Sequence, residues 1–130
     1  MAKRKSKKKA VRKARVKKKK VWTLDRYLIP AARKIWSYSP LKRQIKARAR
    51  VSIVKGIETY RCEICRKLTD KIQVDHIEPI VSPERGFESW DIYFSRMFCD
   101  PSNLQNLCVT CHKLKTAKES AIRKSKRLTK

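Results

Sequence analysis

Two short pairs of cysteines constrain this chain more than any other feature. Cys62-Glu63-Ile64-Cys65 and Cys108-Val109-Thr110-Cys111 each set two thiols on a tight turn, so four sulfurs can converge on one tetrahedral Zn²⁺ at roughly 2.3 Å each. A lone CxxC reads as a redox pair, but neither pair sits in a thioredoxin-like βαβ pattern. Two of them favour a closed, structural four-cysteine zinc site. The fifth cysteine, Cys99, stands beside Met97 and Phe98 and reads as a small buried hydrophobe. Residues 66 to 107 separate the pairs, far more than a compact zinc ribbon needs. That interval should hold something functional.

Charge then narrows the partner. The chain of 130 residues has 36 lysines and arginines against 11 acids, a formal net charge of +25. Many cations placed near phosphates gain affinity by releasing condensed counterions, whatever the base sequence. Nucleic acid is the expected partner, and an anionic membrane is the weaker one, because residues 1–20 have no continuous apolar face to lay on it. Those residues, MAKRKSKKKAVRKARVKKKK, hold thirteen lysines and arginines and no acid, and are expected to form a disordered basic arm. The chain has neither the apolar run of a secretory signal nor a stretch near the roughly 20 apolar residues of a membrane span. A soluble, cytoplasmic protein is expected, with its cysteines in a reducing compartment where disulfides are disfavoured.

Four segments follow from the shifts in composition: the arm at 1–20, a helical extension at 21–56, a zinc-bearing domain at 57–122 and a frayed basic tail at 123–130. From Val21 to Tyr38 apolar residues surround Pro30, which predicts short packing segments rather than one helix. Ser39-Pro40 supplies an N-cap and a first-turn proline, and Leu41, Ile45, Ala49 and Ser52 recur at helical spacing towards Gly56. Ile72-Gln73-Val74-Asp75-His76-Ile77 alternates apolar with polar and reads as one arm of a β-hairpin ended by Pro79. Trp90, Phe94, Met97 and Phe98 predict a short inserted helix, its aromatics in the core. Asp100-Pro101-Ser102-Asn103 forms a turn, Leu104 and Leu107 face inward, and a helix runs from about Cys111 towards Ile122.

Taken together, YRCEIC, VDHIEP and DPSNLQNLCVTCHKLKT resemble the HNH, or ββα-metal, endonucleases, particularly small phage forms with a structural four-cysteine zinc. The resemblance spans about Tyr60 to Thr116. It implies an α+β, treble-clef-like domain in which a hairpin and a helix hold one divalent metal, with DNA, expected to be double-stranded, bound across it. Asp75 and His112 match the family's metal ligands, His76 its general base, and Asn103 the asparagine that fixes the base-bearing loop. Small phage enzymes of this kind are associated with genome packaging or mobile elements. The resemblance thus implies a bacterial host cell and, as possible partners, phage packaging proteins.

The chemistry these residues offer is consistent with that reading. Phosphodiester hydrolysis needs a deprotonated water in line with the leaving oxygen and positive charge where negative charge grows. His76 can be neutral at physiological pH, and the surrounding cations disfavour its charged form. Asp75 offers a hard oxygen and His112 a nitrogen, a mixed set suited to Mg²⁺, Mn²⁺ or a similar ion with positions left open for water and phosphate. Adjacent residues on a strand point to opposite faces, so the strand should distort or end at Asp75-His76, or the two side chains should flank the phosphate.

Bland readings stand beside each of these. An Asp-His pair is more often structural than catalytic, and His112 is a conceivable zinc ligand, although four cysteines already fill that site. Asn106 rivals Asn103, but Asn103 lies nine residues before His112, nearer the family spacing. Glu78 is a second metal ligand or simply exposed, the latter favoured. Lys115 in the CHxxKT motif, with Lys113 and Arg96, is a candidate phosphate grip, although charges on helices are usually just solvated. A non-catalytic, zinc-stabilised nucleic-acid-binding protein is the alternative to a nuclease.

Overall fold

The computed structural model describes residues 21–129, and the expected arm at 1–20 lies outside them. Three helices, two small sheets and one long helix follow in order: α1 (Leu24–Ser37), α2 (Pro40–Arg48), β1 (Arg50–Val54), β2 (Ile57–Arg61), β3 (Leu68–Thr69), β4 (Ile72–His76), α3 (Trp90–Met97), a 3₁₀ turn (Pro101–Asn103), β5 (Leu104–Cys108) and α4 (Val109–Leu128). The protein is a small α+β structure, and no described helix is long and apolar enough to cross a membrane.

Residues 24–37 form one helix with Pro30 inside it, where separate short segments were expected. Thr23 caps its start by accepting from the Arg26 amide, and Ala32 and Trp36 bury one face. Capping and burial outweigh the missing proline donor. Ser39 and Pro40 open α2 as the sequence predicts. That helix stops at Arg48, however, and residues 50–54 are a strand rather than its continuation to Gly56. Val51 and Ile53 are β-branched, and Lys55 and Gly56 both take positive φ, the conformation of a two-residue turn that sends the chain back as β2. The expected boundary at 56/57 therefore falls inside a hairpin. At the other end the basic residues 123–128 continue α4 instead of fraying.

The second sheet sets up the candidate site. β4 pairs antiparallel with β5 in unbroken register, with Asp75 opposite Gln105, His76 opposite Leu104 and Val74 opposite Asn106. Because side chains alternate, Val74 and His76 share one face with Leu104, while Asp75 and Gln105 share the other. The first face closes the core, where Trp36, Ile45, Tyr93, Met97 and Leu104 meet and Val74 packs against them. Tyr93 is buried there, whereas Phe94 and Phe98, expected in the core, are 42% and 44% exposed. Ile77, just past the strand, is exposed. Cys99 packs partly buried against the core edge.

Candidate metal and catalytic site

Cys62 and Cys65 follow β2, Cys108 ends β5, and Cys111 lies in the first turn of α4. Their four sulfurs lie within 4.8 Å of one another, and Sγ of Cys65 is 3.8 Å from that of Cys108. A tetrahedral ion about 2.3 Å from each sulfur would space them by ~3.8 Å, whereas a disulfide needs ~2.05 Å. All the cysteines are free thiols. Burial raises the Cys62 thiol, but hydrogen bonds from the backbone of Cys108, Cys65 and Ile64 prevail and bring it down to about 6. Cys111 is pushed up to about 12 by its hydrogen bond to the Cys108 side chain, with burial next. Crowded sulfurs cannot all ionise alone, and a dication removes the conflict by taking them as thiolates. The cluster can hold one metal ion, and zinc suits four sulfurs.

The cysteine knuckle is stitched to β5. The amide of Glu63 donates to the Asn106 carbonyl at 2.9 Å, and its carboxylate accepts from the Asn106 amide and from Arg48 on α2. Arg48 also reaches the Leu104 carbonyl at 2.8 Å. The cysteine cluster is thereby tied to β5, the partner strand of β4, and to α2, while Cys111 places it in the first turn of α4 next to His112.

Asp75 lies under α4. Its Oδ1 is 3.8 Å from Nε2 of His112, and its Oδ2 accepts from Lys115 Nζ at 2.9 Å and from Gln105 Nε2 at 3.1 Å. Two ligands each about 2.1 Å from one ion are separated by roughly 3 to 4.2 Å, a range that includes the distance between Asp75 Oδ1 and His112 Nε2. His112 faces Asp75, and the four sulfurs need no fifth ligand.

His76 points the other way, 7% exposed, its ring 4.9 Å from that of Trp36 and tilted by 48°. The strand ends at this residue without a register shift, so the two neighbours do sit on opposite faces. Nε2 of His76 lies 2.9 Å from the Met97 carbonyl oxygen. A carbonyl only accepts, so Nε2 carries the proton of the neutral ring and Nδ1 holds the lone pair. Burial sets the His76 pKa below the ordinary value, outweighing the Met97 carbonyl and the charge of Asp75, which favour protonation; Lys115 disfavours it further.

Asn103 ties down the chain that follows. Its Oδ1 accepts from the Glu78 amide at 2.9 Å, and its carbonyl accepts from the Ile77 amide at 2.8 Å. Asn106, its rival in the sequence, is fully buried and donates to the Ile45 carbonyl at 2.8 Å, which pins α2 to the sheet instead. Glu78 itself is exposed.

The basic candidates behave differently from one another. Lys115 donates to Asp75, to Glu119 at 2.7 Å and to the His76 carbonyl at 2.7 Å. Burial alone would lower its pKa, but the bonds to Glu119 and Asp75 hold it above the ordinary lysine value. Its ammonium is an internal strut between α4 and β4. Arg96 is ion-paired with Glu88 at 3.0 Å and mostly covered, and Lys113 is exposed. Sequence reasoning missed Trp36, the Met97 carbonyl, Gln105 and Glu119. Only Glu119 left a local signal, four residues after Lys115 on one helix face. Comparison of the chain with protein-family models, curated proteins and solved structures returns no match.

Proposed function

We propose that the chain is a metal-dependent DNA endonuclease of the HNH type that its motifs resemble, hydrolysing phosphodiester bonds. The supporting observation is the approach of Asp75 Oδ1 to His112 Nε2, 3.8 Å; the next residue, His76, on the opposite face of the strand, keeps a free lone pair on Nδ1. A divalent cation at that pair would supply Lewis-acid charge for the phosphate and its leaving oxygen. His76 takes the proton of the attacking water at Nδ1, while its Nε2–H stays bonded to Met97. Trp36 holds the ring from one side, and Asn103 fixes the backbone on leaving it. Lys115 and Gln105 occupy Oδ2 of Asp75, which leaves Oδ1 directed at His112. The structural cysteine cluster sets the first turn of α4, and with it His112.

One observation favours the second reading, a non-catalytic zinc module that binds nucleic acid: His76 is buried as a structural residue would be. Plasmid cleavage separates the two. With Mg²⁺ or Mn²⁺ the protein is expected to cleave and His76→Ala to be inactive. Parent protein that binds DNA without cutting it under any divalent ion, or His76→Ala cutting as well as the parent, sinks the nuclease reading.

A further inference from the structure

The far end of α4 carries basic residues that the site above does not use. There the helix meets the loop after β4, and between them lies an open groove of about 320 Å³ whose lining includes Arg85, Arg123, Lys126 and Arg127. Glu84 is the one carboxylate in that lining, against four cations. Arg85 pairs with Glu88 at 3.4 Å and Arg123 with Glu119 at 3.6 Å. Lys126 and Arg127 have no carboxylate within salt-bridge distance among the described residues. The negative end of the helix dipole opposes an anion here, but it amounts to only about half a charge.

The loop is built to hold its arginine in place. Ser82 Oγ accepts from the amides of Glu84 and Arg85, and the Gly86 amide returns to the Ser82 carbonyl at 2.9 Å. Gly86 closes this turn at a φ of 78°, a conformation that side chains rarely tolerate. The same loop leaves the candidate site at Glu78, where Asn103 grips it. One short segment, hydrogen-bonded at Glu78 and again at Ser82–Gly86, thus connects the site to the groove.

Resting on the nucleic-acid reading above, we propose that this groove binds backbone phosphates of the DNA that occupies the site, several base pairs from the scissile bond. From His112 to Arg127 the helix rises ~22 Å, about six to seven base pairs of duplex. Guanidinium forks suit phosphate oxygens, and an open groove suits a continuous backbone better than a small anion.

The test compares parent protein with the triple variant Arg85→Ala/Lys126→Ala/Arg127→Ala on duplexes of about 8 and about 20 base pairs, with no divalent ion added, across a salt series. Losing two to three phosphate contacts should lower the salt slope by about 2 to 3 and weaken the long duplex at least tenfold at low salt. The short duplex should bind within about twofold of the parent. A control, Arg33→Ala/Lys34→Ala/Arg43→Ala, removes equal charge elsewhere. Unchanged slope in the groove variant, or an equal loss in the control, overturns the groove. So does unchanged DNA binding with weakened binding of poly-glutamate, which would mark an acidic protein as the occupant. Because binding is read without cleavage, a parent that binds but does not cut overturns the nuclease reading alone.

Discussion

Nε2 of His76 is 2.9 Å from the carbonyl oxygen of Met97, at the C-terminal end of α3. That one contact selects the tautomer of a buried imidazole and leaves Nδ1 as its only base. Replacing His76 by alanine is expected to lower cleavage by ~10² to 10⁴-fold, the usual worth of a general base. DNA affinity, measured by titration, should stay within a few-fold. A parallel collapse of both would mean that the ring serves structure alone.

Burial depresses the His76 pKa, so the neutral ring should persist below the ordinary histidine value of about 6.5. The acid limb of kcat/KM is expected below that pH. Stability follows the same sign: between the lowered folded value and about 6.5 the unfolded chain binds more protons here, so this contribution is complete above about 6.5 and lost as pH falls through the folded pKa. Denaturant titrations of parent and His76→Gln over that range should diverge in slope, and an acid limb above 6.5 would contradict the buried neutral ring.

Lys115 bonds Asp75 and Glu119 at once, and both carboxylates are mostly covered. Lys115→Met should therefore cost about 1 to 3 kcal/mol of stability, because Asp75 keeps only the neutral Gln105 on Oδ2 and Glu119 keeps only Arg123 at 3.6 Å. Removing the ammonium also removes repulsion against a dication beside Asp75. Calorimetric titration with Mn²⁺ should show affinity rising about tenfold as the melting temperature falls. Weaker Mn²⁺ binding would place the ion elsewhere.

Cys65→Ser takes one sulfur from the four-cysteine cluster. We expect one zinc per parent chain by elemental analysis and substoichiometric zinc in the variant, with loss of cooperative unfolding because metal binding and folding are coupled. A variant that melts like the parent would show that the cluster is not a structural metal site.

Asn103 and Asn106 should separate function from stability. Asn106→Ala removes a fully buried amide that holds α2 and should cost about 1 to 3 kcal/mol with turnover of the folded fraction kept. Asn103→Ala loosens the exposed backbone after His76, and should cost about 1 kcal/mol or less while reducing turnover at least tenfold. The reverse pattern would reassign the two residues.

Much of this arrangement could be read from local pattern. Paired CxxC units specify a metal knuckle by chemistry, Ser39-Pro40 specifies a helix start by capping, and the alternation at 72–77 specifies a strand by its period of two. Pro30 and residues 50–54 misled because tertiary burial of Trp36 and hairpin pairing with β2 overrode local preference. The sequence by itself determined which chemical groups are available: four thiols, the Asp75-His76 neighbours, His112 and an excess of cations. Tertiary structure alone decided how they are used. Residues distant along the chain set the environment of each: Met97 and Trp36 fix the imidazole, Gln105 and Lys115 take one oxygen of Asp75, and an arginine on a turn meets the end of α4. Such contacts depend on strand register and helix packing, which no local spacing encodes.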